Sequence, residues 1–544
     1  MSDNKKSKND SDVYYLFVLA CLFVFFKLIS NLEPVAISFY QKYWILIALV
    51  TAILTGFLVN KAWTVIAKKR EDKVFNDQIT NGEGEEDSVF AGVDKNRKKI
   101  FIPLSSRTMH TQVIGTTNAG KTESVIIPWA VDDISKERGL LLLDGKSDES
   151  LLKKIYSYVV KYRRQEKFKY FSLTNIGKSH TFNPLLGGTT EEISERVFGA
   201  FLFENEYYRG VQYEIFSQAM RIFSNAKEVP TFLKLHQAIS NPLYFRPLVD
   251  RCKDPALILW GNTFMATKPE ERDKRTSGLL SQIASFAFGD TAALFNVETP
   301  SIDLENALKN NEAVYFQLPV LKFPTLGKAT GKLVLQVLQS AVSSRHQNGS
   351  EDHKFFSCYL DDFSEFLPKS FVSLLNKSRS ANVGITFAHQ ALGDLKALGP
   401  DVENTILVNS NLKVFMRTNE PDSAEYFAKV AGTTEIEKTT ERQTKSMGMN
   451  QKTGEASVRL AEEFIHHPNE FKKKMGVGEA LIIIPHSKGT KTVRMKFSIL
   501  PDLKAETLPS IPKEMARSLM MIPQDKNEST NHINAIDHNK KEVA

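Results

Sequence analysis

Ten residues constrain this chain more than any others: Val113-Ile114-Gly115-Thr116-Thr117-Asn118-Ala119-Gly120-Lys121-Thr122. An apolar strand enters a glycine-bounded loop closed by Lys-Thr, and a helix-forming stretch, Glu123 to Ala130, follows. Every fixed position of the pattern G-x-x-x-x-G-K-[ST] is filled. Gly115 and Gly120 permit backbone geometry that a side chain forbids. The N–H groups of Thr116, Thr117, Asn118 and Ala119 can then turn inward around a phosphate, at the positive end of the next helix. Lys121 is placed to reach β- and γ-phosphates, and the Thr122 hydroxyl to meet Mg²⁺. The stretch Gly115 to Thr122 is therefore the candidate nucleotide-binding loop, with ATP and Mg²⁺ the expected ligands.

The 544-residue chain has room for two or three domains. Its net charge of +7 permits contact with nucleic acid or anionic lipid without requiring either. The three cysteines, Cys21, Cys252 and Cys358, lie far apart, which argues against a disulfide framework and a zinc site and suggests a reducing compartment.

Two apolar stretches precede the loop. Val13 to Ser30 carries one charge, Lys27, and reaches about 27 Å as a helix, enough for a hydrocarbon core. Trp44 to Val59 is the second, and Tyr14, Tyr15, Tyr40, Tyr43, Trp44 and Trp63 fall near the ends, where aromatic belts belong. Lysines 5, 6 and 8 before the first stretch, and Lys61, Lys68, Lys69, Arg70 and Lys73 after the second, outnumber the single Lys42 between them. The positive-inside rule then gives a two-pass hairpin with both termini and the phosphate loop cytoplasmic.

The expected layout is a transmembrane hairpin over 1–70, a linker with short strands over 71–104, and an α/β nucleotide-binding domain from 105–188 and 295–505. An all-α insertion over 189–294 and a disordered tail over 506–544 complete it. Strand-like runs at Gly139–Leu143, Tyr170–Leu173, Ala313–Leu318, Phe355–Leu360, Val383–Ala388 and Ala480–Pro485 alternate with helical patterns, the signature of a parallel sheet covered on both faces. Asp144 ends one such strand and can face a ligand or cap the next helix; the residues leave both readings open. The strand Phe355–Leu360 runs into Asp361-Asp362. Beside a phosphate loop, Asp361 is the expected holder of the Mg²⁺ shell and Asp362 the group that orients attacking water. Gln390, after His389 at the end of another strand, can sense the γ-phosphate or simply form a turn.

In this order, the membrane hairpin, phosphate loop, helical insertion, acid-tipped strand and Gln-tipped strand resemble the type IV coupling proteins of conjugation and type IV secretion. Asn183-Pro184-Leu185 is similar to a motif preceding that family's all-α domain, and Lys377-Ser378-Arg379-Ser380-Ala381-Asn382-Val383-Gly384 to the segment leading to its sensor Gln. The resemblance implies a RecA-like P-loop fold, a homo-hexameric ring and ATP hydrolysis, with Arg379 acting in trans as an arginine finger. It also implies DNA, relaxase or effector proteins as cargo and the components of a type IV secretion channel as partners. The chain departs from the family in having Asp361-Asp362 for Asp-Glu, and Asp144-Gly145-Lys146-Ser147 for Asp-Pro-Lys-Gly. Two other functions fit the same residues: a membrane-anchored DNA translocase without a channel, and a receptor assembled by ATP with little hydrolysis.

Overall fold

The computed structural model describes residues 53–59, 61 and 87–510, save 204, 348–352, 363, 365, 369, 398, 447–448 and 487–488. It divides into two units, Met1–Val74 and Phe75–Ala544. The first expected membrane stretch lies outside the described residues, as does most of the second. Residues 53–59 are helical, with Ile53, Leu54, Phe57, Leu58 and Val59 each more than half exposed. Among the described residues no helix is long and apolar enough to cross a membrane. The expected tail falls outside the description beyond residue 510.

The larger unit is built on a sheet of eleven described strands: β1 Ser88–Asp94, β2 Lys99–Pro103, β3 Thr111–Ile114, β4 Gly139–Asp144, β5 Phe168–Ser172, β6 Ala313–Gln317, β7 Phe356–Asp361, β8 Val383–His389, β9 Leu412–Phe415, and two late strands, Glu479–His486 and Gly489–Phe497. Between β9 and the late pair, β10 Thr433–Ser446 and β11 Met449–Phe464 form a separate two-stranded ladder, so the late pair is β12 and β13. The order across the sheet is β2-β1-β13-β12-β9-β3-β8-β7-β4-β6-β5. From β9 to β5 every pairing is parallel. From β9 to β2 every pairing is antiparallel. The expected all-parallel sheet is thus a mixed one. β12 and β13 are joined by a tight hairpin, and β1 and β2 likewise, and a hairpin can only be antiparallel.

Alternation along each central strand sends side chains to two cores. Leu141, Leu143, Phe171, Phe316, Leu360 and Phe387 face one; Leu140, Leu142, Tyr170, Tyr315, Tyr359 and Ala388 face the other. On the second face lie helix α1, Ile127–Ser135, through Trp129 and Ile134, and helix α2, Glu149–Lys161, through Leu151, Ile155 and Val159.

Every element between β5 and β6 is helical, led by α3, Thr190–Ala200, and α4, Glu206–Asn225. Thr189 starts α3 with a reciprocal capping box: its hydroxyl accepts from Glu192 N, and the Glu192 carboxylate accepts from Thr189 N at 2.7 Å. The neck of this segment is closed by Asn183. Its buried amide donates to the carbonyls of Pro230 (3.0 Å) and Val297 (2.9 Å) and accepts from Leu185 N (3.0 Å). The core continues through the neck: Phe171 on the sheet meets Phe295, which meets Phe286, with centroids 5.5 and 5.0 Å apart.

Candidate nucleotide site

The carboxyl edge of the parallel strands gathers the site. β3 ends at Ile114, and the loop Gly115–Lys121 crosses above the sheet before the chain turns into α1. Two glycines set the path. A Cβ on Gly115 would stand 2.8 Å from Met416 Cβ and 3.0 Å from Ala119 Cβ. Gly120 has φ +96, a conformation closed to other residues without strain. The expected helix from Glu123 begins as a π-type turn, Thr122–Ile126, before α1. Pro128 gives the reason: its ring excludes the carbonyl of Ser124 four residues back, so the preceding turn widens.

Neighbouring strands tie the loop down. Thr116 N donates to Arg417 O (2.8 Å), Gly115 N to His389 O (3.3 Å), and Gly478 N to Ala119 O (3.0 Å). Lys121 is 8% exposed and donates to Gly115 O at 2.6 Å and Thr116 O at 3.3 Å. Burial pulls its ammonium below the usual lysine range, with the Asp361 carboxylate opposing and the Lys146 ammonium adding to the shift. The Thr122 hydroxyl donates to Asp361 Oδ2 at 2.9 Å. Asp361 Oδ1 is buried with no hydrogen-bond partner among the described residues. Burial and the adjacent Asp362 raise the Asp361 pKa. A threonine hydroxyl beside a carboxylate with one orphaned buried oxygen is a donor set suited to a hydrated Mg²⁺ ion.

The residues singled out in the sequence separate into those brought together and one that is not. Thr117 donates to Gln390 Oε1 at 3.2 Å, so Gln390 stands against the loop. Asp362 has φ +53 and pairs with Lys146, Nζ to Oδ2 2.8 Å. Asp144 does not cap the next helix, whose N-cap is Asp148; it holds the turn between them, its carboxylate accepting from the N–H groups of Lys146 (3.0 Å), Ser147 (2.9 Å) and Asp148 (2.9 Å) and from the Tyr315 hydroxyl (2.8 Å). Burial pushes its pKa up to about 6, against the pull of the Tyr315 bond. Arg379 is exposed and caps helix Phe371–Ser378, ahead of the amino end of β8. Gln390 follows the other end of that strand, roughly 20 Å along the sheet. Arg379 thus lies away from the phosphate loop of its own chain.

Three contributors carried no sequence signal. Lys413 on β9 is buried, and its three ammonium protons find Gln112 Oε1 (2.8 Å), Leu407 O (2.8 Å) and Ser410 Oγ (3.0 Å). Gln112 Nε2 then lies 3.0 Å from His389 Nε2, which leaves His389 Nδ1 to donate to Ala391 O at 2.8 Å. Burial holds His389 neutral, its pKa lowered to about 4. This chain of bonds fixes the backbone on both sides of Gln390. The third is Gly478, whose bond to the loop comes from a residue some 360 positions downstream.

Sheet order, phosphate loop and an acid-tipped strand one place removed from the loop's own strand together define a RecA-like P-loop nucleotide-binding fold. The family described as the TraM recognition site of TraD and TraG matches residues 356–473. DotL, a type 4 coupling protein of Legionella pneumophila, is 20% identical over 419 residues, covering 66% of this chain and 53% of DotL. This chain thus spans about half the length of that curated relative. The unbound bacterial conjugative coupling protein TrwB superposes with a TM-score of 0.56 at 13% identity, covering 78% of this chain and 91% of TrwB. TrwB in complex with ADP and Mg²⁺ gives 0.54 at 12% identity, covering 79% and 94%. Over these residues the chain is similar to type IV coupling proteins.

Proposed function

We propose that the protein is a membrane-anchored ATPase that recruits relaxase-bound DNA, protein substrates or both, and couples them to a type IV secretion or conjugation channel, with hydrolysis driving transfer. The observation that carries this reading is the joining of Thr122 to Asp361 beside a fully formed phosphate loop, with one Asp361 oxygen left for a further ligand. Gly115 to Thr122 cradle the phosphates through backbone N–H groups, and Lys121 exchanges the Gly115 carbonyl for phosphate oxygens. Thr122 and Asp361 hold Mg²⁺, which supplies charge neutralisation on the phosphates. Asp362 orients the water that attacks the γ-phosphorus; as the new O–P bond forms the bond to the bridging oxygen breaks, ADP leaves with that electron pair, and the water's proton passes to the phosphate product or to solvent. Gln390 reports the γ-phosphate from its place against Thr117.

Arg379 completes the neighbouring subunit's site in a hexameric ring, because its exposure and its distance from its own loop suit action in trans. The amino-terminal stretches anchor the ring in the inner membrane as a two-pass hairpin with both termini cytoplasmic. A second reading, a receptor assembled by ATP with little turnover, is favoured by one contact, the pairing of Asp362 with Lys146. A Lys121→Ala variant in a transfer assay discriminates: cargo transfer lost with cargo binding intact marks a motor, and loss confined to ring assembly marks the receptor.

A further inference from the structure

We infer that Lys146 is a second phosphate-binding cation of this site and that Asp362 is its alternate partner: a terminal phosphoryl group competes with the Asp362 carboxylate for the Lys146 ammonium, and the exchange frees Asp362 toward water. The inference rests on the nucleotide-site reading above and adds a γ-phosphate ligand to it.

Sheet register brings the two residues together. β4 and β7 are adjacent and parallel, with Asp144 opposite Asp361, so the segments leaving both strands emerge side by side at the edge that carries the phosphate loop. Lys146 and Asp362 follow those ends, one from each, and meet at 2.8 Å. The backbone at Lys146 is held while its side chain is not. Asp144 accepts from three successive N–H groups there, from Lys146 to Asp148, which locks the turn. The Lys146 side chain is 56% exposed, whereas that of Asp362 is 15% exposed. A fixed root with a solvated tip is the arrangement that lets a lysine change partners.

The pairing is weak enough to exchange. A half-exposed ion pair contributes little in water, while an ammonium facing a phosphate in a closing site makes a stronger charge-assisted bond. Lys121 is disposed in the same way, its ammonium resting on the Gly115 and Thr116 carbonyls. Both cations thus stand on partners that phosphate oxygens can replace. They approach from opposite sides of Asp361, Lys121 from the loop after β3 and Lys146 from the turn after β4.

The test is nucleotide binding to the full-length protein, measured with fluorescent ADP and a fluorescent non-hydrolysable ATP analogue in the presence of Mg²⁺. Lys146→Met is expected to weaken the triphosphate analogue roughly tenfold, as loss of one charge-assisted bond requires, and to leave ADP within about twofold. Lys146→Arg should retain the preference for the triphosphate. Asp362→Asn should tighten the analogue, because it removes the competitor, and should lower kcat and KM together. Retained ADP affinity certifies that each variant is folded. Equal losses for ADP and the analogue, or no loss for either, would overturn the role of Lys146 while leaving the nucleotide site standing. A wild-type protein that binds neither nucleotide would overturn the site and the inference together.

Discussion

His110 and His389 are both buried, and burial lowers each to a pKa of about 4 from 6.5. Their nitrogens are committed: His110 Nε2 bonds Leu375 O at 2.8 Å and His110 Nδ1 accepts from Ile385 N at 3.2 Å, while His389 bridges Gln112 and Ala391. Between pH 6.5 and 4 the unfolded chain takes up protons at both positions that the folded chain refuses. Stability therefore falls as pH falls through that window, by up to about 3 kcal/mol for each imidazole. Urea unfolding at pH 7 and pH 5 should show the loss, and His389→Gln should flatten part of it. The phosphate loop was fully legible in the sequence because each fixed residue answers a local requirement. Asp361 was legible because an apolar strand ended on it. Lys413 and Gln112 were not, since a buried lysine becomes intelligible only when the fold brings the distant Gln112 to it beside the nearby Leu407 and Ser410 acceptors. Asp144, which the sequence left between facing a ligand and capping the next helix, instead holds the turn before that helix through three backbone N–H groups that no side-chain pattern encodes, and Asp148 is the cap.

Among the elements, the helical segment between β5 and β6 depends on its neck. Asn183 satisfies the carbonyls of Pro230 and Val297 at the point where the chain leaves and rejoins the sheet. Asn183→Ala leaves these buried acceptors unpaired and is expected to cost about 2–3 kcal/mol. Limited proteolysis should then cut the helical segment sooner, with nucleotide affinity unchanged; equal protection of the variant would remove the neck from the account. Helices and central strands were readable because their apolar periods are strong. Short strands over Val89 to Leu104 were readable too, and they form the β1–β2 hairpin; the antiparallel docking of β12 and β13 onto β9 and β1 was not, because it joins segments far apart in the chain. The β10–β11 ladder escaped notice for a different reason: Thr433 to Phe464 is rich in Thr, Glu, Lys and Gln and lacks an apolar alternation.

For the whole molecule, the placement of Arg379 makes the strongest demand. It caps a helix ahead of the amino end of β8, away from its own phosphate loop. If it acts in trans, Arg379→Ala and Lys121→Ala are each inactive alone, yet mixing them restores activity. A random ring regains about a quarter of its sites, those pairing an intact loop with a neighbour's intact arginine. No recovery on mixing would return Arg379 to a purely local role. The central claim is that the site hydrolyses ATP, and steady-state ATP turnover by the full-length protein, with Mg²⁺ and with and without DNA, tests it most directly. The wild type should turn over, and Lys121→Met should lower kcat/KM by roughly a hundredfold or more. Tight ATP binding without turnover at any protein concentration, or equal turnover in the two proteins, would contradict it.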